Sequence, residues 1–424
     1  MAQQHGLEWR EEVFGLAPRW TIEPDTAVIE ALCRRHLQIE RDARCEVAFY
    51  AQGGFNKLYK IDTNERVAVM RIALPVDPKH KTASEVATIK FLRTKTKMPL
   101  PEIIAFDESN DNDLGLEWIL MDFIPGCELR FAWRKMPMSK KELLVKQLAM
   151  YQSELLDQTF EQIGSIHGIS EDGTAELGSM VAMYFFWGDR LGYQSPRGPF
   201  ESSFPWLSAR LNLVIEEQTH TLTKLDDEDE IEDAETSKLL AGQLLGILSE
   251  VFTQNEVELS VILHDDISLQ NILVDEEGAI AAIVDWECVS ALPLWRTCRA
   301  PHFLEGRVRN EEPLRDRYAS DSPSDYERGL DRYSRAPLDN EGVNSLYWEH
   351  LMVWESSTLR KVFFSEMERL KPEWAQLRTR GELKNGFEEA VSNCDQPLRH
   401  RSVRLWLEAY RAGESFNMGA SLVE

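Results

Sequence analysis

H-D-D-I-S-L-Q-N-I-L-V at residues 264–274, followed by I-V-D-W-E at 283–287, is the stretch that decides the fold. Asp266 stands five residues before Asn271. A carboxylate and an amide at that spacing suit a loop that orients a hydroxyl, takes up its proton and binds a metal during phosphoryl transfer. Asn271 runs straight into apolar I-L-V, and Asp285 follows apolar I-A-A-I-V. Two apolar runs separated by a polar turn predict paired strands. Asp285 then offers the oxygen ligand that Mg²⁺ prefers where it bridges phosphates, with Asn271 as its companion. His264 is expected to support the loop by hydrogen bonding and not to act in the chemistry. A surface hairpin with turn aspartates is the plain alternative, and it leaves the His264–Asn271 spacing unexplained.

Upstream, the pattern changes twice. D-T-A-V-I-E-A-L-C-R-R-H-L at 25–37 repeats its apolar residues at helical spacing. Residues 46–74 hold three short β-like runs, divided by G-G at 53–54 and T-N-E at 63–65. An antiparallel meander is expected there. A helix follows over 82–94, with Thr82 or Ser84 as its cap, and Pro99 and Pro101 end it. Strands are expected near 103–106 and 117–123, closed by Pro125-Gly126. Beyond 128 helices dominate. Segment 139–156 reads as a helix started by a serine cap, and 237–252 as another. The acidic run at 226–235 reads as a solvated helix face or a loop insertion. The tail over 343–415 is helical and carries Trp348, Trp354, Trp374 and Trp406, which at that spacing are core residues before they are a stacking surface.

Composition narrows the functional classes. The chain has 424 residues and a net charge of −25, from 47 basic and 72 acidic residues. Such a surface repels nucleic acid and anionic membranes, so no nucleic-acid partner is expected. Solubility is the simplest reason for the charge, and attraction of a cationic substrate is a second. No apolar run is long enough for a membrane span. The six cysteines form no C-x-x-C pair and read as reduced core thiols. Glu8, Glu11 and Glu12 argue against a transit peptide, so a cytoplasmic address is expected, with a mitochondrial one left open.

With these residues in hand, the chain resembles the aminoglycoside phosphotransferase and choline kinase family, and within it a fungal branch. The resemblance rests on H-D-D-I-S-L-Q-N together with G-G-F-N-K at 53–57, V-A-V-M-R-I at 67–72, T-A-S-E-V-A-T-I-K-F-L at 82–92, I-L-M-D-F-I-P-G at 119–126 and P-L-W at 293–295. It spans roughly residues 45–300. It implies a two-lobed, protein-kinase-like α+β fold, with a small β-meander lobe holding one helix and a larger, mainly helical lobe. It implies ATP and Mg²⁺ as cofactors. By the same resemblance Gly53, Gly54, Phe55 and Asn56 form the phosphate-covering turn, Met121, Asp122 and Phe123 the linker that reads adenine, Asp266 the base, and Asn271 and Asp285 the metal ligands. Two positions depart from the family. Asp265 stands where glycine is usual. Arg71 stands where a phosphate-clamping lysine is usual, with Glu85 as its expected ion-pair partner. Arginine keeps the charge but is not interchangeable with lysine; Lys57 and Lys60 are nearby substitutes. Glu287, beside Asp285, is a weaker candidate for substrate contact.

The expected organisation is an extension and helix over 1–45, a nucleotide-binding lobe over 46–122, a hinge over 123–127 and a catalytic lobe over 128–424, with an acidic insertion at 216–236. The expected activity moves the γ-phosphate of ATP to a hydroxyl of an unidentified small molecule. A weak pseudokinase or nucleotide-binding adaptor is the alternative, supported by Arg71. A protein kinase is disfavoured because D-F-G, A-P-E and H-R-D are all missing.

Overall fold

The computed structural model describes residues 4–12, 15–254, 257–318, 345–414 and 416. The chain opens with a hairpin, β1 (Leu7–Glu12) and β2 (Gly15–Trp20), then α1 (Thr26–His36). Asp25 caps α1 by accepting from the Ala27 amide at 2.8 Å. The expected meander is β3 (Cys45–Gln52), β4 (Asn56–Thr63) and β5 (Val67–Ala73). After α2 (His80–Lys95), strands β6 (Ile103–Asp107) and β7 (Glu117–Asp122) complete an antiparallel sheet in the order β3-β4-β5-β7-β6.

Strand alternation in the centre of this sheet explains its chemistry. Successive side chains point to opposite faces, so every second residue shares a face. Ala68, Met70 and Ile72 of β5 join Trp118 and Leu120 of β7 under α1. Val69 and Met121 face the other way, packing with Val86 of α2. Arg71 follows Val69 on that second face, so an apolar strand delivers one arginine toward α2. The helix starts earlier than the sequence suggested. Lys79 sits before its first residue with φ 67° and no side-chain cap, and Thr82 and Ser84 are buried inside it. Glu117 of β7 replaces the cap by accepting from the Lys79 amide at 2.7 Å.

The second half is mainly helical. It runs through β8 (Cys127–Glu128), α3 (Leu129–Trp133), α4 (Met138–Leu155), β9 (Thr159–Phe160), β10 (Ser165–Ile169), β11 (Ala175–Gly178), α5 (Met183–Phe186), α6 (Ser203–Thr221) and α7 (Glu228–Val251). Helix α4 starts after Pro137 without the serine cap. The acidic run is the start of α7, capped by Asp227 through the Asp229 and Glu230 amides. Acidic side chains in a first turn match the positive end of the helix dipole. Then come β12 (Ser260–Leu263), β13 (Ile272–Val274), β14 (Ile280–Ile283), β15 (Ser290–Pro293), α8 (Leu294–Thr297), α9 (Ser345–Leu370), α10 (Trp374–Arg380), α11 (Glu382–Asn393) and α12 (His400–Ala412). Buried Trp374 and Trp406 are core residues, and Trp348 lies under Arg134 at 3.6 Å.

One large core joins α4 and α9 to β13, β14 and Trp286. A second joins α6, α7, α11 and α12. A smaller one crosses between the halves, where Phe55, Leu74 and Val76 meet Leu7, Val181 and Phe186. All six cysteines are free thiols, but against expectation they are not all core residues, since Cys127 is exposed and Cys288 half-buried. Among the described residues no helix is long and apolar enough to cross a membrane.

Candidate active site

Buried strand β12 ends at Leu263, and His264 follows it into the loop. His264 Nε2 meets the Val284 carbonyl at 3.1 Å, and its ring lies 4.7 Å from that of Trp286. The histidine therefore ties the start of the loop to the exit of β14, a supporting role. Asn271 closes the loop. Its Nδ2 donates to the Asp266 carbonyl at 2.9 Å and to Asp266 Oδ2 at 3.0 Å. The Val284 amide donates to the Asn271 carbonyl at 2.9 Å, which sets Asp285 beside the loop. Asp285 has φ 69°, a left-handed conformation uncommon for a residue with a side chain and often held at functional sites.

Arg71 reaches this aspartate. Its Nη2 lies 2.9 Å from Asp285 Oδ1 and 3.0 Å from Glu287 Oε2, while Nε is 3.4 Å from Glu85 Oε1. The Arg71–Glu85 pair of the sequence reading thus exists, but two closer carboxylates share the guanidinium. Glu287 is the centre of the cluster. Its Oε2 also lies 2.5 Å from Lys81 Nζ and accepts from Asn56 Nδ2 at 2.8 Å. Lys81, only 1% exposed, donates in turn to Asn56 Oδ1 at 3.0 Å. Burial works to raise the Glu287 carboxyl, but Lys81 and Arg71 outweigh it and hold the group below the usual glutamate value. Burial of Glu85 wins against Arg71 and Lys81, and pushes that carboxyl up.

The other expected residues divide. Gly53 and Gly54 form an open turn between β3 and β4, where an added Cβ meets no atom within 4 Å. Phe55 is turned into the core, edge-on to Phe186 at 5.6 Å, so its side chain does not line the turn. Asn56 is buried in the Glu287 cluster. Met121 is buried in β7, and the Asp122 amide donates to Glu102 at 3.0 Å. The Phe123 amide donates to Val67 at 3.3 Å, and the Asp122 side chain pairs with Arg66. Lys57 pairs with Glu23 at 2.5 Å, and Lys60 lies over the Phe123 ring at 4.9 Å. Neither lysine joins Arg71.

Sequence reasoning missed Lys81 and His302. Lys81 lies four residues before Glu85, on the same face of α2, so helical spacing carried that signal. His302 Nδ1 stands 3.5 Å from Asp266 Oδ1, and no local pattern connects the two.

Asp265 explains its departure from glycine. It pairs with Arg296 at 3.3 Å and Arg299 at 3.9 Å. Arg296 is held independently by Glu388 at 3.1 Å. Because Asp265 is half exposed, Asp265→Gly is expected to cost about 1 kcal/mol or less by thermal denaturation. A loss several times larger would make the pair a structural necessity.

The donor set suits Mg²⁺. Asn271 commits its amide nitrogen to Asp266, and its Oδ1 makes no hydrogen bond among the described residues. Arg71 takes one oxygen of Asp285. Among the described residues no group of three or more His, Cys, Asp or Glu is arranged to hold a metal alone. An ion bound by one or two protein oxygens and substrate phosphates is the arrangement typical of Mg²⁺.

The chain is similar to several known proteins. A subtelomeric hrmA-associated cluster protein of Aspergillus fumigatus is 26% identical over 361 residues, covering 73% of this chain and 70% of its own. The mitochondrial protein "Altered inheritance of mitochondria protein 9" of Yarrowia lipolytica is 25% identical over 321 residues, covering 65% of this chain and 55% of its own. Among solved structures, aminoglycoside phosphotransferase APH(4)-Ia is 14% identical with a TM-score of 0.46, covering 92% of this chain and 99% of its own. The gentamicin complex of APH(2″)-IIa is 11% identical with a TM-score of 0.45, covering 94% and 99%. The phosphotransferase enzyme family, APH, matches residues 46–295, more than half of the sequence, from within β3 past the D-W-E segment that follows β14. The chain is a member of that phosphotransferase family.

Proposed function

We propose that the protein moves the γ-phosphate of ATP to a hydroxyl of a small molecule, with Asp266 as base and Asn271 and Asp285 as Mg²⁺ ligands. The observation that carries this reading is the double grip of Asn271 Nδ2 on Asp266, which leaves Asn271 Oδ1 for a cation. Mg²⁺ bound there would neutralise charge on the phosphates. Asp266 is largely exposed, as a group that must meet an acceptor has to be. Its carboxyl lies below the usual aspartate value, first because His302 bonds it, so it is ionised at neutral pH. It orients the hydroxyl and takes its proton as the oxygen attacks phosphorus. Arg71 holds the Asp285 carboxylate and presents positive charge to the cleft. The open Gly53-Gly54 turn lets backbone approach phosphate oxygens. The net charge of −25 favours a cationic acceptor such as an amino alcohol or amino sugar. A cytoplasmic address belongs to the same reading, with a mitochondrial one as its alternative because a yeast relative carries that word in its name.

The second reading is a nucleotide-binding adaptor with weak or no turnover. Arg71 supports it, since its guanidinium already occupies one oxygen of Asp285. The two separate in one experiment. Saturating Mg²⁺-ATP, at 100 times its dissociation constant, should stabilise the protein by about 2.7 kcal/mol. Asp285→Asn should remove the Mg²⁺-dependent part of that gain. Asp266→Asn should keep binding and lower ATP turnover by about 10²–10⁴-fold. Unchanged turnover in Asp266→Asn sinks the phosphotransferase assignment and leaves the adaptor.

A further inference from the structure

We infer that His302 is a positioning residue for Asp266 that receives the acceptor's proton from it, so that turnover requires the neutral imidazole. The inference rests on the reading of Asp266 as the base. Its own basis is where the chain puts His302. Nδ1 lies 3.5 Å from Asp266 Oδ1, and the two side chains are 61% and 63% exposed, so the pair is open to solvent. Asn271 grips the other oxygen, Oδ2, at 3.0 Å. The carboxylate is therefore held from two sides, by an amide that cannot take a proton and by an imidazole that can.

The placement of His302 is fixed, although the ring itself is exposed. It begins a short 3₁₀ turn, 302–304, directly after Pro301. Phe303 packs edge-on to Trp133 at 5.4 Å and Leu304 is fully buried. The Phe303 amide donates to the carbonyl of Ile267, the residue after Asp266, at 3.5 Å. From α9, Ser356 Oγ donates to the Phe303 carbonyl at 3.4 Å, and Arg360 donates to the carbonyls of Leu304 and Gly306. Neighbours on three elements thus pin the histidine to the catalytic loop.

The charges around the imidazole come from each of these elements. Asp266 and His264 belong to the loop side, Glu305 and Arg299 flank the turn, and Arg360 of α9 lies behind it. Arg299 is itself paired with Glu305. The hydrogen bond to Asp266 is the largest influence and raises His302 above the usual imidazole value. Burial and Arg299 oppose it, and Glu305 adds to it.

The step balances without an added reagent. The acceptor oxygen forms a bond to the γ-phosphorus while the bond from phosphorus to the β,γ-bridging oxygen breaks, and ADP leaves with that electron pair. The hydroxyl proton passes to Asp266, then to Nδ1 of neutral His302, and finally to solvent. Of the two groups that hold Asp266, the Asn271 amide on Oδ2 cannot take a proton and the His302 imidazole facing Oδ1 can, so the imidazole is where the proton comes to rest. The sign follows. At low pH the imidazolium is already protonated and pairs with Asp266, so the relay is closed. Turnover rises with pH through the raised value of His302.

The test uses the full chain with ¹³C-labelled histidine. There are nine histidines, and His302→Gln identifies the resonance by its loss. The His302 signal should titrate above about 6.5 in the wild type and fall back toward it in Asp266→Asn. In parallel, Mg²⁺-ATP turnover in the wild type should show an acid limb at that same pH. His302→Gln should lose the limb and reduce kcat by roughly tenfold, part of what a positioned base supplies, with KM for ATP unchanged. A His302 titration that is the same in Asp266→Asn, or an acid limb that persists in His302→Gln, overturns the relay. Turnover unaffected by Asp266→Asn overturns it too, but then the base reading is what failed. A normal Asp266→Asn defect with an unaltered His302→Gln profile leaves the phosphotransferase standing and removes only the relay.

Discussion

Replacing Glu287 with alanine is expected to cost about 3–5 kcal/mol, the usual loss when one partner of a buried ion pair is removed. The carboxylate touches Lys81 at 2.5 Å, Asn56 at 2.8 Å and Arg71 at 3.0 Å, all through Oε2. Lys81 is 1% exposed, and without Glu287 its remaining close partner is the neutral Asn56 Oδ1. An ammonium so placed must stay charged in a poorly solvated site or give up its proton, and both are costly. At about 2–4 °C per kcal/mol for a large domain, Tm falls by at least about 6 °C. Glu287→Gln keeps an acceptor oxygen and should lose less, because only the charge is gone. The same cluster spans the two halves, since Asn56 follows the Gly53-Gly54 turn and Glu287 follows Asp285. Loss of Mg²⁺-ATP stabilisation should therefore accompany the fall in Tm. A Glu287→Ala protein that melts within a degree of wild type would mean that water reaches Lys81.

Residues close in sequence made the site legible, and residues distant in sequence hid the rest. The meander, α2 and the loop followed from alternation, helical spacing and one Asp-to-Asn interval. Arg71 and Glu85 lie within ion-pair distance at 3.4 Å, but Arg71 lies closer to Asp285, at 2.9 Å, a contact that the resemblance did not imply. The N-terminal hairpin escaped notice because L-E-W-R-E-E has no clean alternation; Leu7 alone is buried in that strand. The acidic run looked detached because it has few apolar residues, yet Asp227 caps it and the apolar face of the rest of α7 carries it. Two caps were misassigned because position mattered more than residue type. Glu117 supplies the oxygen for the start of α2, and Pro137 begins α4 without one. His302 meets Asp266 only through tertiary packing of Phe303 and Leu304, which no spacing rule encodes.

Arg71→Met should destabilise the nucleotide-free protein by about 3–5 kcal/mol near neutral pH, and the deficit should shrink on acidification. The guanidinium is 8% exposed and faces Glu85, Asp285 and Glu287. Removing it leaves three carboxylates with Lys81 as the cation of the cluster. Glu85 already lies above the usual glutamate value because burial disfavours its charge, and Arg71 is the strongest force opposing that rise. Without Arg71 its folded-state value goes higher still. A carboxyl raised in the folded state gives stability that is complete below its unfolded value of about 4.3 and is lost as pH rises through the folded one. The Arg71→Met deficit should therefore narrow as pH falls from 8 toward about 5. Chemical denaturation at several pH values measures this, and a deficit independent of pH would rule out the electrostatic account. Arg71→Lys restores the residue usual in the family. A single ammonium cannot reproduce a guanidinium that faces Glu85 through Nε and Asp285 and Glu287 through Nη2, so some stability is lost, but the positive charge remains. Mg²⁺-ATP stabilisation should survive in Arg71→Lys and disappear in Arg71→Met if arginine has taken over the phosphate-clamping role. Should both variants bind nucleotide as well as the wild type, Arg71 serves only to neutralise Asp285, and the adaptor reading gains at the expense of the kinase.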